Sequence, residues 1–374
     1  MNFQEVKMGA TRSNQPREVT EEKIRDLLRS QLAMEQTAFP SERELAVRTG
    51  GSRSVIREIL KEMERSGLLI QGANGRVINP SANKIPVLYI APGRDAIANP
   101  AWARLWTALT EQLRAYPLTA ELFLLRFWPE EIEEDLRKLA ERKEQYIIVT
   151  GRGNLEELIA RWESEGRQII YPDDLPGDEN SSIIAVDNER VGELAAEELY
   201  RHGFRSPVLL TPNFTDHCYV PYQKRIAGFA RKCREYGMKF DCGTDVREVF
   251  YDGGKGILQS YIWKTAELAK DLRYDSMFLS TDDQLPLVLE VLNGQGRTIP
   301  GDMGLITLNA NNYARSATTC VNSVSNATAE IAEHICSGIL AHADGRTDRI
   351  PSVLLEPVVY DGRTLAKRND KTSN

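Results

Sequence analysis

The 374-residue chain is poor in the residues that build metal and redox centres. Its four histidines (His202, His217, His334, His342) fall in no H-E-x-x-H or triad-like spacing. Its five cysteines (Cys218, Cys233, Cys242, Cys320, Cys336) are odd in number, widely spaced and without a C-x-x-C pair. This argues against a zinc cluster or a disulfide framework, so no metal and no cofactor are expected. No apolar run approaches the length that crosses a bilayer, and no charged, then apolar, then small-residue signal opens the chain. A cytoplasmic protein without a membrane partner is the expectation. Nor is any nucleophile paired with a base, which argues against an enzyme. A glycine motif, Thr150-Gly151-Arg152-Gly153, begins like a dinucleotide loop but has Glu156 at its third glycine position, where a carboxylate would repel pyrophosphate.

What is present is ordinary in bulk and uneven in distribution. With 41% hydrophobic and 27% charged residues, the chain reads as globular, and its length implies two or three domains. The net charge of −7 argues against a protein that binds nucleic acid along its whole length. Residues 1–80, however, hold 13 basic and 11 acidic residues, against 34 and 43 in the remainder. A head at +2 on a body at −9 fits a DNA-facing N-terminal domain.

The stretch Phe39 to Leu60 carries the sharpest local signal. Pro40 ends what precedes it, and Ser41 with Glu44 forms a capping box for a short helix reaching about Thr49. Gly50 and Gly51 break that helix, and Ser52 caps a second one whose apolar residues Val55, Ile56, Ile59, Leu60 and Met63 recur at helical spacing. Arg53 and Arg57, four apart, share one face near its start, with Ser54 beside them. A guanidinium there can read guanine with a bidentate fork or grip phosphate, and the spacing does not say which arginine does which. Leu68–Ile70 and Arg76–Ile78, around Gln71 to Gly75, have the form of a hairpin.

Residues 19 to 79 resemble the winged helix-turn-helix of GntR-type bacterial repressors, on the strength of the PSERELA heptad and the SR…R…L…L…G run. The resemblance implies DNA contacts from Arg43, Ser52, Arg53, Ser54 and Arg57, and from Gly72, Asn74 and Arg76 at the wing. Gly51 departs from the pattern, which has an aliphatic residue there.

After a short polar linker at 80–84, near-continuous apolar strands alternate with helical patterns: Pro86–Ile90, Glu121–Phe127, Tyr146–Val149, Gln168–Tyr171, Ile183–Val186, Pro207–Leu210, Val246–Phe250, Met277–Leu279 and Gly304–Leu308. Such strands imply parallel sheets covered on both faces, and about 280 residues of this pattern should divide into two lobes. The predicted fold is therefore α/β: a winged helix-turn-helix over 1–79, ordered from about 19, then a two-lobed domain with parallel sheets over 85–366 and a tail at 367–374.

Three constellations mark the body. Val186-Asp187-Asn188 precedes a helix with Gly192 and Ala195; Arg225 to Phe229 opens a helix; Asp282-Asp283-Gln284 follows a strand, and a later strand ends Thr307-Leu308-Asn309. Their order resembles the effector-binding core of LacI-type repressors and periplasmic sugar-binding proteins, and the whole arrangement resembles that of arabinose-type repressors. The resemblance implies Arg225 as a clamp on ligand oxygens, Asp283 as an acceptor from hydroxyls and Asn309 in a place where the family has Asp. Trp102 and Tyr222, with Trp128, are candidates to cover a sugar face. Asp187 and Asn188 read as a helix start. Structural alternatives stand beside these: a salt bridge for Arg225, a helix cap for Asp283, turn chemistry for Asn309 and a core position for Trp102. The implied function is a ligand-responsive repressor, a homodimer on a pseudo-palindromic operator that senses a sugar. The alternative is a DNA-binding regulator whose body is only a dimerisation scaffold.

Overall fold

The computed structural model describes residues 16–33, 38–65, 68–72, 75–79, 84–92, 100–113, 115–126, 129–150, 155–173, 181–213, 220–250, 257–309 and 320–365. These form two compact units: one of the residues up to Pro86 together with Thr110–Thr119, the other of Val87–Leu109 and the residues from Ala120 onward. Among the described residues no helix is long and apolar enough to cross a membrane.

The N-terminal unit holds α1 (Arg17–Ala33), α2 (Glu42–Thr49), α3 (Arg53–Arg65) and a hairpin of β1 (Leu69–Gly72) and β2 (Gly75–Ile78). The capping box is formed in both directions, Glu44 N–H to the Ser41 hydroxyl and Ser41 N–H to the Glu44 carboxylate at 2.8 Å. Gly50 ends α2 in the left-handed region at φ 75°, a conformation that costs glycine little, and returns its N–H to the Ala46 carbonyl. The α3 stripe Ile56, Ile59, Leu60 and Met63 is buried against Ile24, Leu28, Phe39 and Leu45. The hairpin is tighter than expected. Gly72 pairs with Gly75, so two residues join the strands, and Gln71 lies in β1 opposite Arg76.

Gly51 also finds its reason here. A Cβ on it would lie 2.4 Å from the Thr20 methyl carbon and 2.8 Å from the Thr20 hydroxyl. Thr20 of α1, itself fully buried, fills the space that an aliphatic side chain at position 51 would take.

The second unit contains two six-stranded sheets. One orders its strands β13-β7-β6-β5-β3-β4 and the other β14-β12-β11-β10-β8-β9. The first lobe uses β3 (Ile85–Pro92), β4 (Leu118–Leu125), β5 (Tyr146–Val149), β6 (Gln168–Tyr171), β7 (Ser182–Val186) and β13 (Val353–Leu355). The second uses β8 (Pro207–Asn213), β9 (Val246–Phe250), β10 (Ser276–Leu279), β11 (Gly304–Leu308), β12 (Asn322–Val324) and β14 (Val359–Tyr360). The central strands run parallel, as their unbroken apolar runs predict, and the short β14 lies antiparallel on its neighbour β12. The remaining helices are α4 (Pro100–Gln112), α5 (Pro129–Ala140), α6 (Glu156–Ser164), α7 (Asn188–Arg201), α8 (Val220–Glu235), α9 (Ile257–Lys270), α10 (Leu285–Gly294) and α11 (Thr328–Ala343).

Strands β12, β13 and β14 were not expected. They are two or three residues long, too short for a periodic signal, and they add two changes of lobe, after β12 and after β13, to the one after β7. A second difference concerns Arg225. The sequence places it at a helix opening, whereas α8 begins five residues earlier at Val220. Helices α7 and α8 touch at their backbones: a Cβ on Gly192 would meet the Arg225 carbonyl oxygen at 2.0 Å, and one on Gly228 the Glu189 carbonyl oxygen at 2.0 Å. This close approach carries the Arg225 side chain to the end of β10.

Candidate functional site

In the N-terminal unit, Arg43, Arg53, Ser54 and Arg57 are all exposed. Ser52 is half-buried and occupied locally, its hydroxyl accepting from Val55 N–H at 3.4 Å and lying 3.0 Å from the Ser54 hydroxyl. It stands at the start of α3, just before Arg53.

The arginines are tied together by a residue the sequence reading passed over. Glu42, the first residue of α2, takes the Arg57 fork, with Nη2 at 3.0 Å and Nε at 3.3 Å. Arg76 of the wing lies 3.7 Å from the same carboxylate and donates Nε to Glu64 of α3 at 2.8 Å. The Arg57 hydrogen bond, with the charges of Arg57, Arg76 and Arg53, holds the Glu42 carboxyl below the usual glutamate range. Arg76 is therefore turned inward, with only 19% of its side chain exposed, rather than extended from the wing tip as expected. Of the other wing residues, Gly72 and Gly75 bracket the turn, and Asn74 lies outside the described residues.

In the second unit Arg225, Asp283 and Asn309, with Tyr222 beside Arg225, come together at the C-terminal ends of β10 and β11, the position where α/β folds bind ligands. Arg225, only 4% exposed, donates Nε to the Asn188 side-chain oxygen at 2.8 Å and Nη1 to the Ser280 carbonyl at 3.0 Å. Its guanidinium carbon lies 4.8 Å from the centre of the Tyr222 ring. Asp187 caps α7 by accepting from Arg190 N–H, a helix-start role that the sequence indicated, and Asn188 serves as the partner of Arg225.

The two adjacent aspartates differ. Asp282 is buried and receives both arms of Arg104, at 2.9 Å and 3.2 Å. Asn309, in the left-handed region at φ 68°, turns its amide to the same carboxylate at 3.4 Å. Asp283 is half-buried as a residue, but its Oδ1 is sealed from solvent and has no hydrogen-bond partner among the described residues. Burial, then the neighbouring charge of Asp282, pushes the Asp283 carboxyl up to about 6. An acceptor so placed calls for a donor, such as a hydroxyl.

Arg104 was passed over in favour of Trp102, two residues earlier on α4. The side chain of Trp102 lies outside the described residues, as do Trp128 and the Gly151-Gly153 motif. A cation among the apolar residues at the start of α4 was the available signal. Among the described residues no group of three or more His, Cys, Asp or Glu is arranged to hold a metal ion.

Residues 16–76 match the family of bacterial regulatory proteins, gntR family. Residues 83–248 match the periplasmic binding proteins and sugar binding domain of LacI family, and residues 196–365 match the periplasmic binding protein-like domain. No curated protein matches the chain in sequence. Among solved structures, a transcriptional regulator CelR-cellobiose complex is 17% identical over 91% of this chain and 98% of its own, with a TM-score of 0.63. A LacI family regulator from Enterococcus faecium with bound ribose is 17% identical over 76% and 100%, with a TM-score of 0.64. A Lacl family regulator from Silicibacter pomeroyi is 18% identical over 94% and 99%, with a TM-score of 0.61. At these identities the structural likeness is one of fold, and the family matches supply the rest. The chain is a transcriptional regulator of combined type, a GntR winged helix-turn-helix joined to a LacI-type, periplasmic-binding-protein-like domain.

Proposed function

We propose that the protein is a cytoplasmic repressor that binds a pseudo-palindromic operator as a homodimer and releases it when a sugar or sugar-like metabolite binds between the lobes. The domain limits of this reading are 1–79 for the DNA-binding head, 80–84 for the linker and 85–366 for the body. The observation that carries it is the sealed Oδ1 of Asp283, without a hydrogen-bond partner among the described residues, beside the Arg104–Asp282 pair, an acceptor site suited to a hydroxyl. Relatives of the same fold were solved with cellobiose and with ribose. DNA contact rests on the exposed face of Arg43, Arg53, Ser54 and Arg57. Dimerisation is supported by exposed Phe250 on edge strand β9 and by Leu258 and Trp263 on α9, apolar groups of the kind that subunit contacts cover.

One observation favours the scaffold reading: Arg225, the expected ligand clamp, already commits Nε and one Nη1 hydrogen to Asn188 and Ser280. The two readings part in one experiment. Full-length protein is screened by thermal shift against pentoses, hexoses and disaccharides, since a ligand that binds only the folded form raises the melting temperature. A sugar that stabilises the wild type, fails to stabilise Asp283→Asn and releases operator DNA supports the repressor. Uniform silence across the panel, with operator binding intact, supports the scaffold.

A further inference from the structure

The pair between Arg104 and Asp282 spans 178 positions in sequence and joins the two lobes. Arg104 stands on α4, which follows β3 of the first lobe, while Asp282 follows β10 of the second. Both arms of the guanidinium are used, at 2.9 Å and 3.2 Å, so distance and orientation are fixed together. The carboxylate side chain has no exposed surface, whereas Arg104 keeps 23% of its side chain exposed. Asn309 holds the same carboxylate from the second lobe, with its backbone N–H on the Val324 carbonyl at 2.7 Å. Asp282 is thus anchored, and Arg104 is the arm that reaches to it.

We propose that Arg104 and Asp282 form an interlobe latch, a bond made by the protein itself that a molecule entering between the lobes must share or displace, so that Arg104 is a first-lobe residue of the effector site. Separating the lobes strips a buried carboxylate of its counter-charge, which is expensive unless something takes the place of the fork. The replacement has to donate to Asp282 and accept from Arg104 at once. Vicinal hydroxyls do both, whereas an anion satisfies only the arginine and a cation only the aspartate. This restriction to neutral polyhydroxy compounds rests on the effector reading above; the latch itself does not.

Hydrogen–deuterium exchange on the full chain with no sugar added tests the latch, using wild type, Arg104→Ala, Arg104→Lys and the near-isosteric Asp282→Asn. The latch predicts that Arg104→Ala and Asp282→Asn each accelerate exchange in the start of α4 and in residues 279–285 together, by at least about tenfold, with the centres of β5 and β10 unchanged. Lysine keeps the charge without the fork and should fall between. Small-angle scattering should show a larger radius of gyration for both disrupting variants. The latch is overturned if exchange rises only in the peptide carrying the substitution and the radius stays that of wild type. A panel of neutral sugars that all fail to bind, with the exchange pattern as predicted, removes the effector reading and leaves the latch standing.

Discussion

The carboxylate of Glu42 on α2 takes the guanidinium of Arg57 on α3 at 3.0 Å, and Arg76 of the wing lies 3.7 Å from the same carboxylate. One acidic side chain at the start of the first helix thereby orients a cation of the second and approaches the wing. On the surface proposed to face DNA, an anion would oppose binding to phosphate, so the use proposed for it is to fix where Arg57 points.

Glu42→Gln should therefore raise affinity for non-specific DNA and steepen its salt dependence while reducing discrimination between operator and mismatched sites. The lost discrimination is expected at about 1 kcal/mol, the lower end of what one bidentate base contact supplies. Fluorescence anisotropy on matched and mismatched duplexes over a salt series measures both. Equal weakening on all duplexes would contradict an orienting role.

Arg53 is exposed at the first position of α3. Its replacement by alanine should weaken operator binding, relaxing sequence choice if a base contact is lost, or lowering the salt slope by about one if the contact is to phosphate. Arg76→Ala should act differently, because that side chain is held by Glu64 and Glu42. Its main expected effect is a lower melting temperature of the head, from a loss on the order of 1 kcal/mol.

Gly51 and Thr20 compete for one space. Gly51→Ala alone should destabilise the head by roughly 1–3 kcal/mol through overpacking. Adding Thr20→Ala removes the methyl and hydroxyl that the new Cβ meets, and should return a large part of that loss. Chemical denaturation of the two single variants and the double variant measures the coupling; strict additivity would show that the two sites do not share the space.

Asp283 gives a pH dependence with a defined sign. Its carboxyl is raised to about 6 by burial and by Asp282, with Arg104, Thr281 and Arg225 pulling the other way, and buried Tyr261 stands close by. The folded form then holds this proton more tightly than the unfolded chain does. Its contribution to stability is fully present below the unfolded value, about 3.9, and is lost as pH rises through about 6. Asp283→Asn should therefore melt at a higher temperature than wild type at pH 7 to 8, by on the order of 2 kcal/mol, with the difference shrinking toward pH 4. Calorimetry across that range decides it. A gap of constant size at every pH would mean that Asp283 does not titrate in this window.

Much of the architecture was legible because it rests on local chemistry. The capping box at Ser41 and Glu44, the break at Gly50 and the α3 stripe are short-range features, and each formed where the residues indicated. Several strands, among them Tyr146–Val149, Gln168–Tyr171, Val246–Phe250 and Gly304–Leu308, also stand at the limits their apolar runs gave. Strands β12 to β14 were illegible because pieces of two or three residues carry no period and take their place only from the neighbour they pair with.

The sites divide along the same line. Residue type and spacing were enough to select Arg53 and Arg57 on one helix face with Ser54 beside them, and Asp187 at a helix start, while the resemblance to the LacI-type core pointed to Arg225, Asp283 and Asn309. Which partner each group takes was decided by approach in space: Glu42 to Arg57 across 15 positions, Asn188 to Arg225 across 37, Arg104 to Asp282 across 178. A charge or an amide shows in the sequence what it can bind, but contacts between distant segments are fixed only when the sheets and helices pack. That is why the sequence alone determined the kind of protein this is, and only the tertiary structure decided that Arg104 reaches Asp282 and that Arg225, anticipated as a clamp on ligand oxygens, donates to Asn188 and Ser280.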